Sequence, residues 1–141
     1  MKKILLMGNP NVGKSAIFSR LTGIRIAVSN YPGTTVEFTQ GSMMVGEDRA
    51  LLIDVPGSYG LEAISKAEEI AVDMLEQGDV LINVVDATNL ERNLHLTLHL
   101  LEQDIPTLVA VNIWDDAQRK GISIDTERLE RELGVPVIPT V

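Results

Sequence analysis

The sequence predicts an α/β fold: a mostly parallel six-stranded sheet with one antiparallel edge strand and helices on both faces. Three observations carry this expectation. Short apolar runs alternate with helical patterns along the 141 residues. A glycine-rich segment, Gly8-Asn9-Pro10-Asn11-Val12-Gly13-Lys14-Ser15, joins the first apolar run directly to a helical one. Gly46, followed by Glu47 and Asp48, separates two runs closely enough to form a hairpin, which makes those two strands antiparallel.

Strands are predicted at 4–8, 36–45, 50–54, 80–86, 107–112 and 135–138, with helices at 14–22, 63–77, 90–103 and 126–133. The first helix follows the first strand without a gap. The segment 63–77 has a mixed pattern, whereas 90–103 carries Leu94, Leu98 and Leu101 at helical spacing. Asp125 or Thr126 caps the last helix and Gly134 stops it. No repeat, linker or low-complexity segment interrupts the pattern, so residues 1–141 are read as one domain.

Composition narrows the function. With no cysteine, there is no disulfide framework, thiolate metal site or catalytic thiol. A formal charge of −8 speaks against a nucleic-acid-binding surface, which draws its affinity from clustered Lys and Arg. The apolar runs, such as 80–85, fall far short of the roughly 20 residues that cross a bilayer. Lys2-Lys3 before Ile4-Leu5-Leu6-Met7 is too short for a signal peptide and runs into glycines instead of a cleavage site. A soluble domain in the cytosol fits best.

Gly8 to Ser15 matches GxxxxGK[ST] between strand and helix, where a phosphate loop must lie. The glycines allow the backbone to wrap α and β phosphates, so that successive N–H groups and the helix N-terminus face anionic oxygens. Lys14 would reach the β and γ phosphates and Ser15 would ligate Mg²⁺. The bland alternative is a glycine-rich turn with no ligand. A Rossmann reading fails, because neither GxGxxG nor a second-strand acid about 20 residues later is present.

Further boxes follow in order. Asp54-Val55-Pro56-Gly57 ends the third predicted strand as a DxxG box, with Asp54 toward Mg²⁺ and the Gly57 N–H toward a γ-phosphate; alone it is equally an ordinary turn. Asn112-Ile113-Trp114-Asp115 fits NxxD, in which a carboxylate pairs with two guanine donors that adenine does not offer, against the alternative of a helix cap at Asp115 or Asp116. The box usually reads NKxD, and Ile113 replaces the lysine. Between the first two boxes, a polar segment from Val28 to Glu37 places Thr35 where it can complete a Mg²⁺ shell, or else serve as an exposed loop residue.

Taken together, GNPNVGKS, NYPGTTVE, DVPGSYGL, INVVDATNLERNLHLTLHLLE and NxxD resemble the N-terminal P-loop NTPase (Ras-like) G domain of the ferrous iron transport protein B family along the whole chain. The resemblance implies a Mg²⁺-dependent GTPase that binds GTP and GDP. Its functional residues carry over as Gly8, Asn9, Pro10, Asn11, Val12, Gly13, Lys14 and Ser15, with Ala16 beside them; Gly33, Thr34 and Thr35 in the first switch; Asp54 and Gly57 in the second; and Asn112 with Asp115 at the base. Lys14, Asn11, Thr35 and Gly57 are the implied catalytic set, Ser15, Thr35 and Asp54 the implied Mg²⁺ ligands, and Asn11 the implied K⁺ ligand. Asn11 is otherwise a turn residue, since Asn tolerates unusual backbone angles.

The same resemblance implies an adjoining helical domain and a membrane permease for Fe²⁺, hence a place on the cytoplasmic face of the cell membrane and no nucleic-acid partner; homo-oligomerisation is left open. The chain is expected to stop where the fifth box begins, at Pro139-Thr140-Val141. Ser58 stands where Ras-like enzymes have a water-orienting glutamine. His95 and His99, one helical turn apart, are read as surface or packing residues. The alternatives to a transporter switch are a soluble GTPase of ribosome or tRNA maturation and a binding module with negligible turnover.

Overall fold

A computed structural model describes residues 1–23, 26–56 and 66–141. Strands β1 (Lys2–Gly8), β2 (Ile26–Asn30), β3 (Glu37–Val45), β4 (Asp48–Asp54), β5 (Val80–Asp86), β6 (Thr107–Asn112) and β7 (Val137–Pro139) form one sheet in the order β2-β3-β4-β1-β5-β6-β7. Helices α1 (Lys14–Thr22), α2 (Lys66–Leu75), α3 (Leu90–Leu101), α4 (Trp114–Arg119) and α5 (Thr126–Leu133) connect it. From β4 to β7 all pairs are parallel, while β3 runs antiparallel to both β4 and β2.

The mostly parallel sheet is as expected, but it has seven strands and not six. The addition is β2, which places itself outside β3 and becomes the edge. Its sequence, Ile-Ala-Val-Ser-Asn, shows little alternation because an edge strand with exposed Ala27 and Val28 has no buried face to enforce it. The hairpin at Gly46 is present: β3 and β4 pair Val45 with Asp48, and Gly46 at φ 62 supplies the positive first torsion of a two-residue primed turn.

β1 explains the layering. Residues 4–8 are all buried, as a central parallel strand covered on both faces requires. Ile4 and Leu6 pack with Phe18 of α1, Leu52 and Val84; Leu5 and Met7 pack on the opposite face with Ile70 and Met74 of α2 and Leu96 and Leu100 of α3. A third cluster joins Val85, Val109, Val111 and Val137 to Ala117 of α4, with Leu129 and Leu133 of α5 against it.

Helix limits follow their end signals. α1 and α5 match the predicted bounds; Asp125 accepts from the Arg128 N–H at 3.1 Å, and Gly134 closes α5 at φ 73. α3 ends two residues early. The predicted start of α2 at 63 lies outside the described residues, as do Gly57 and Ser58. α4 was not expected; it begins directly after Ile113, whose φ of 60 is unusual for a β-branched residue.

A buried polar ladder fixes α3 on the sheet. The fully buried Thr97 hydroxyl donates to Asn83 Oδ1, and Asn83 Nδ2 donates to the Met7 carbonyl at 3.3 Å. Asn93 accepts from the Asp86 N–H and donates to the Asn89 carbonyl. Thr97→Val keeps the shape but leaves Asn83 Oδ1 without its donor. Stability should fall by about 1–3 kcal/mol, read as a lower urea midpoint at unchanged m-value.

Candidate nucleotide-binding site

The loops after β1, β4 and β6 and the first residues of β3 meet above the sheet around a cleft of about 790 Å³. Residues 9–11 and 13–15 form one wall, Asp54, Val55 and Pro56 another, with Glu37, Phe38 and Thr39 of β3 and Ile113 completing the rim. This is the carboxyl end of the parallel strands, next to the point where chain order reverses between β4-β1 and β1-β5.

The phosphate loop turns on two left-handed residues, Asn11 at φ 66 and Gly13 at φ 82. Asparagine tolerates that region and glycine is at ease in it. Gly13 is required for a second reason: a Cβ there would lie 2.4 Å from Asn112 Nδ2. A Cβ on Gly8 would likewise meet the Val84 carbonyl oxygen at 2.6 Å. The loop thus seats itself against β5 and β6 only because both positions lack side chains.

Lys14 extends across the cleft. Its ammonium donates to the Val55 carbonyl and lies 2.8 Å from Asp54 Oδ1, with both side chains largely buried. The pair is an ion contact, so the Lys14 ammonium is the partner of Asp54 Oδ1 and must leave before that oxygen can hold another cation. Asn9 Oδ1 is buried without a hydrogen-bond partner. The Asp54 carboxylate, the Asn9 amide oxygen and the Ser15 hydroxyl around one cleft form a hard donor set, which suits Mg²⁺. Asn11, exposed at the cleft rim, offers a further amide oxygen.

Asn112 makes two bonds within the protein that its sequence reading did not include. Its Nδ2 donates to the Val12 carbonyl at 3.0 Å and its Oδ1 accepts from the Thr140 hydroxyl at 2.9 Å. Both ends of the amide are used inside the protein, so Asn112 clamps the phosphate loop to the chain after β7. Thr140 also donates its N–H to Val111 and accepts from the Trp114 N–H. Sequence reasoning did not single out Thr140, or Val55 as the carbonyl partner of Lys14; each acts across tens of residues and has no local signature.

Asp115 sits in the first turn of α4, where its half-exposed carboxylate accepts from Arg119 at 3.1 Å. It is not among the residues lining the cleft, although its neighbour Ile113 is. Ala16 is exposed in the first turn of α1.

The Tyr31 to Val36 segment is a closed turn joining β2 to β3. Tyr31 N–H donates to the Val36 carbonyl at 2.9 Å, and the Thr34 hydroxyl donates to the Tyr31 carbonyl while accepting from the Val36 N–H. Gly33 provides the positive φ of 79. Thr34 is therefore occupied within the turn. Thr35 is exposed, and none of Gly33, Thr34 and Thr35 lines the cleft. The structure brings together residues 9–11, 13–15 and 54; it leaves 33–35 outside, and Gly57 lies beyond the described residues.

If Asn112 were only a base contact, removing it would leave the nucleotide-free protein unchanged. Because it satisfies Val12 and Thr140, Asn112→Ala should lower nucleotide-free stability by about 1–3 kcal/mol, measured by denaturant titration.

Comparison with known proteins places this geometry. The family model described as ferrous iron transport protein B matches residues 2–141. The Fe(2+) transporter FeoB of Salmonella typhimurium is 47% identical over 149 residues, covering 100% of this chain and 19% of its own length. The cytosolic domain of L. pneumophila FeoB superposes with a TM-score of 0.92 at 46% identity, covering 98% of this chain and 62% of that one. The cytosolic domain of T. maritima FeoB, solved in GDP and GMPPNP forms, gives 0.95 at 40% identity, covering 99% and 56%. The chain spans about a fifth of the length of the curated relatives it matches. No helix among the described residues is long and apolar enough to cross a membrane. With a family model matched over nearly all its residues and a P-loop NTPase fold shared with solved members, the chain belongs to the ferrous iron transport protein B family, as its G domain.

Proposed function

We propose that the chain binds GTP and GDP in the cleft and hydrolyses GTP slowly, acting as the regulatory domain of a ferrous iron transporter on the cytoplasmic face of the membrane, through an adjoining helical domain and permease. The observation that carries this reading is the buried Lys14–Asp54 pair at the floor of a glycine-lined cleft. An ammonium held by a carboxylate and a carbonyl is poised to exchange them for phosphate oxygens. Its release would leave Asp54 free to act as a ligand.

Ser15, Asp54 and Thr35 would hold Mg²⁺ and Asn11 would hold K⁺, and these ions supply positive charge against the phosphates when bound. The chain's own groups do the rest. Backbone N–H groups of the loop 8–15 and the N-terminus of α1 receive the α and β phosphates. The Gly57 N–H is assigned to the γ-phosphate. Thr35 reaches the site only when the 31–36 turn opens, which breaks the bonds made by Thr34, so loop closure would be coupled to the γ-phosphate.

Guanine recognition falls to Asp115. Its bond to Arg119 is solvent-exposed, and such pairs contribute only about 0–1 kcal/mol, so exchanging Arg119 for two base donors costs little. A maturation GTPase is the weaker reading, because a charge of −8 suits RNA poorly.

Titration should show GTP and GDP binding with ATP far weaker, and Asp115→Asn should weaken GDP and shift preference toward xanthine nucleotides, whose C2 oxygen meets an amide donor. Equal GTP and ATP affinities would overturn the assignment. Multiple-turnover phosphate release then separates an enzyme from a binding module. No arginine lies in the phosphate loop or in 30–37 to supply transition-state charge. Turnover should therefore be faster in KCl than in NaCl at equal ionic strength, roughly tenfold for about 1.4 kcal/mol. Asn11→Ala should remove most of that difference while GDP still binds; equal wild-type rates in the two salts would leave Asn11 a turn residue.

A further inference from the structure

On the outer side of α3, remote in sequence from every box of the nucleotide site, His95 and His99 stand one turn apart with ring centroids 4.7 Å apart and planes inclined by 52°. His95 is exposed and His99 half-buried. We propose that this pair is a surface site for a borderline divalent transition-metal ion, of the Zn²⁺, Ni²⁺ or Cu²⁺ class, separate from the oxygen-lined nucleotide cleft.

Imidazole nitrogens bind such ions at about 2.0–2.1 Å, and two rings sharing one ion at roughly a right angle have their centres about as far apart as these do. The i, i+4 spacing puts both rings on the same stripe of the helix. Ring rotation alone can aim one nitrogen of each at a common point, since the backbone beneath is rigid. On its inner side α3 buries Asn93, Leu96, Thr97 and Leu100, and the Thr97 bond to Asn83 ties it to β5. Ordering entropy on binding is thereby limited to the side-chain torsions.

The donors are nitrogen, which selects borderline ions over Mg²⁺. Among the described residues no group of three or more His, Asp or Glu side chains could hold a metal, so the site has two protein ligands and water completes it. Glu91 and Glu102 lie on the same side, one turn before His95 and three residues after His99, and add negative field without being ligands.

Ni²⁺ titration of the chain by calorimetry, with Mg²⁺ in excess to saturate oxygen donors, tests the proposal. One ion per chain is expected. His95→Ala and His99→Ala should each weaken binding roughly tenfold or more. The double variant His95→Ala with Glu91→His keeps two histidines on α3 but sets them two turns apart, and it should stay weak. All variants should keep the wild-type far-UV spectrum and GDP binding, because neither histidine is a buried core residue or lines the cleft. Wild-type affinity in either single variant, or in the respaced one, would overturn a chelating pair; so would wild-type protein that takes up no Ni²⁺.

Discussion

The site depends on a close approach that a single methyl group would prevent. Asn112, at the end of β6, reaches across the bare Cα of Gly13 to bond Val12, and from its other end holds Thr140. Positions 12, 112 and 140 are far apart in sequence, so this contact closes long loops whose ordering carries a considerable entropic cost. Once closed, it fixes the direction of the N–H groups between Val12 and Ser15. A phosphate loop works by aiming such groups together, so the clamp that orients them is as necessary as the glycines that expose them.

Between β1 and β6, strand β5 holds β1 by the same physics with different residues. Asn83 is paired in register with Met7, donates to its carbonyl and receives the Thr97 hydroxyl, so the strand entering the phosphate loop is braced from α3. Buried amides without partners would be costly, and these are satisfied. Among the described residues, Asn9 Oδ1, which has no hydrogen-bond partner, and Asp54 Oδ1, which meets the Lys14 ammonium in an ion contact, both belong to residues lining the cleft. Among the described side chains, the buried acceptors without a hydrogen bond thus fall at the cleft and not in the scaffold.

What could be read from the sequence was what acts locally. GNPNVGKS, the cap at Asp125, the stop at Gly134 and the hairpin at Gly46 each specify their own structure within a few residues, and the strands buried on both faces are legible as apolar runs. β2 was invisible because an exposed edge does not enforce alternation. α4 was hidden because it starts from the left-handed Ile113, a conformation that no local propensity suggests and that tertiary contacts must impose. The two roles missed, Asn112 as a clamp and Thr34 as the lock of its turn, differ in kind: the first has distant partners, whereas the second is local but competes with an adjacent threonine of the same chemistry.

Charge explains why an acidic domain can still be built around phosphate. Among the described residues Lys14 is the one Lys or Arg lining the cleft, and two carboxylates, Glu37 and Asp54, line it with Lys14. These side chains alone therefore carry a small negative balance, and they cannot neutralise a polyphosphate. The backbone N–H array and the α1 dipole supply partial positive charge, about half an elementary charge for a helix terminus. What is missing must come with the ligand as cations. On the proposed function, a cleft of this composition would disfavour free phosphates and favour cation-bound ones, because the same Asp54 that repels a bare anion attracts its counter-ion. The Lys14–Asp54 contact then has a second consequence. Until phosphate displaced Lys14 the carboxylate would stay screened by it, so the anion and the cation would each bind better in the presence of the other.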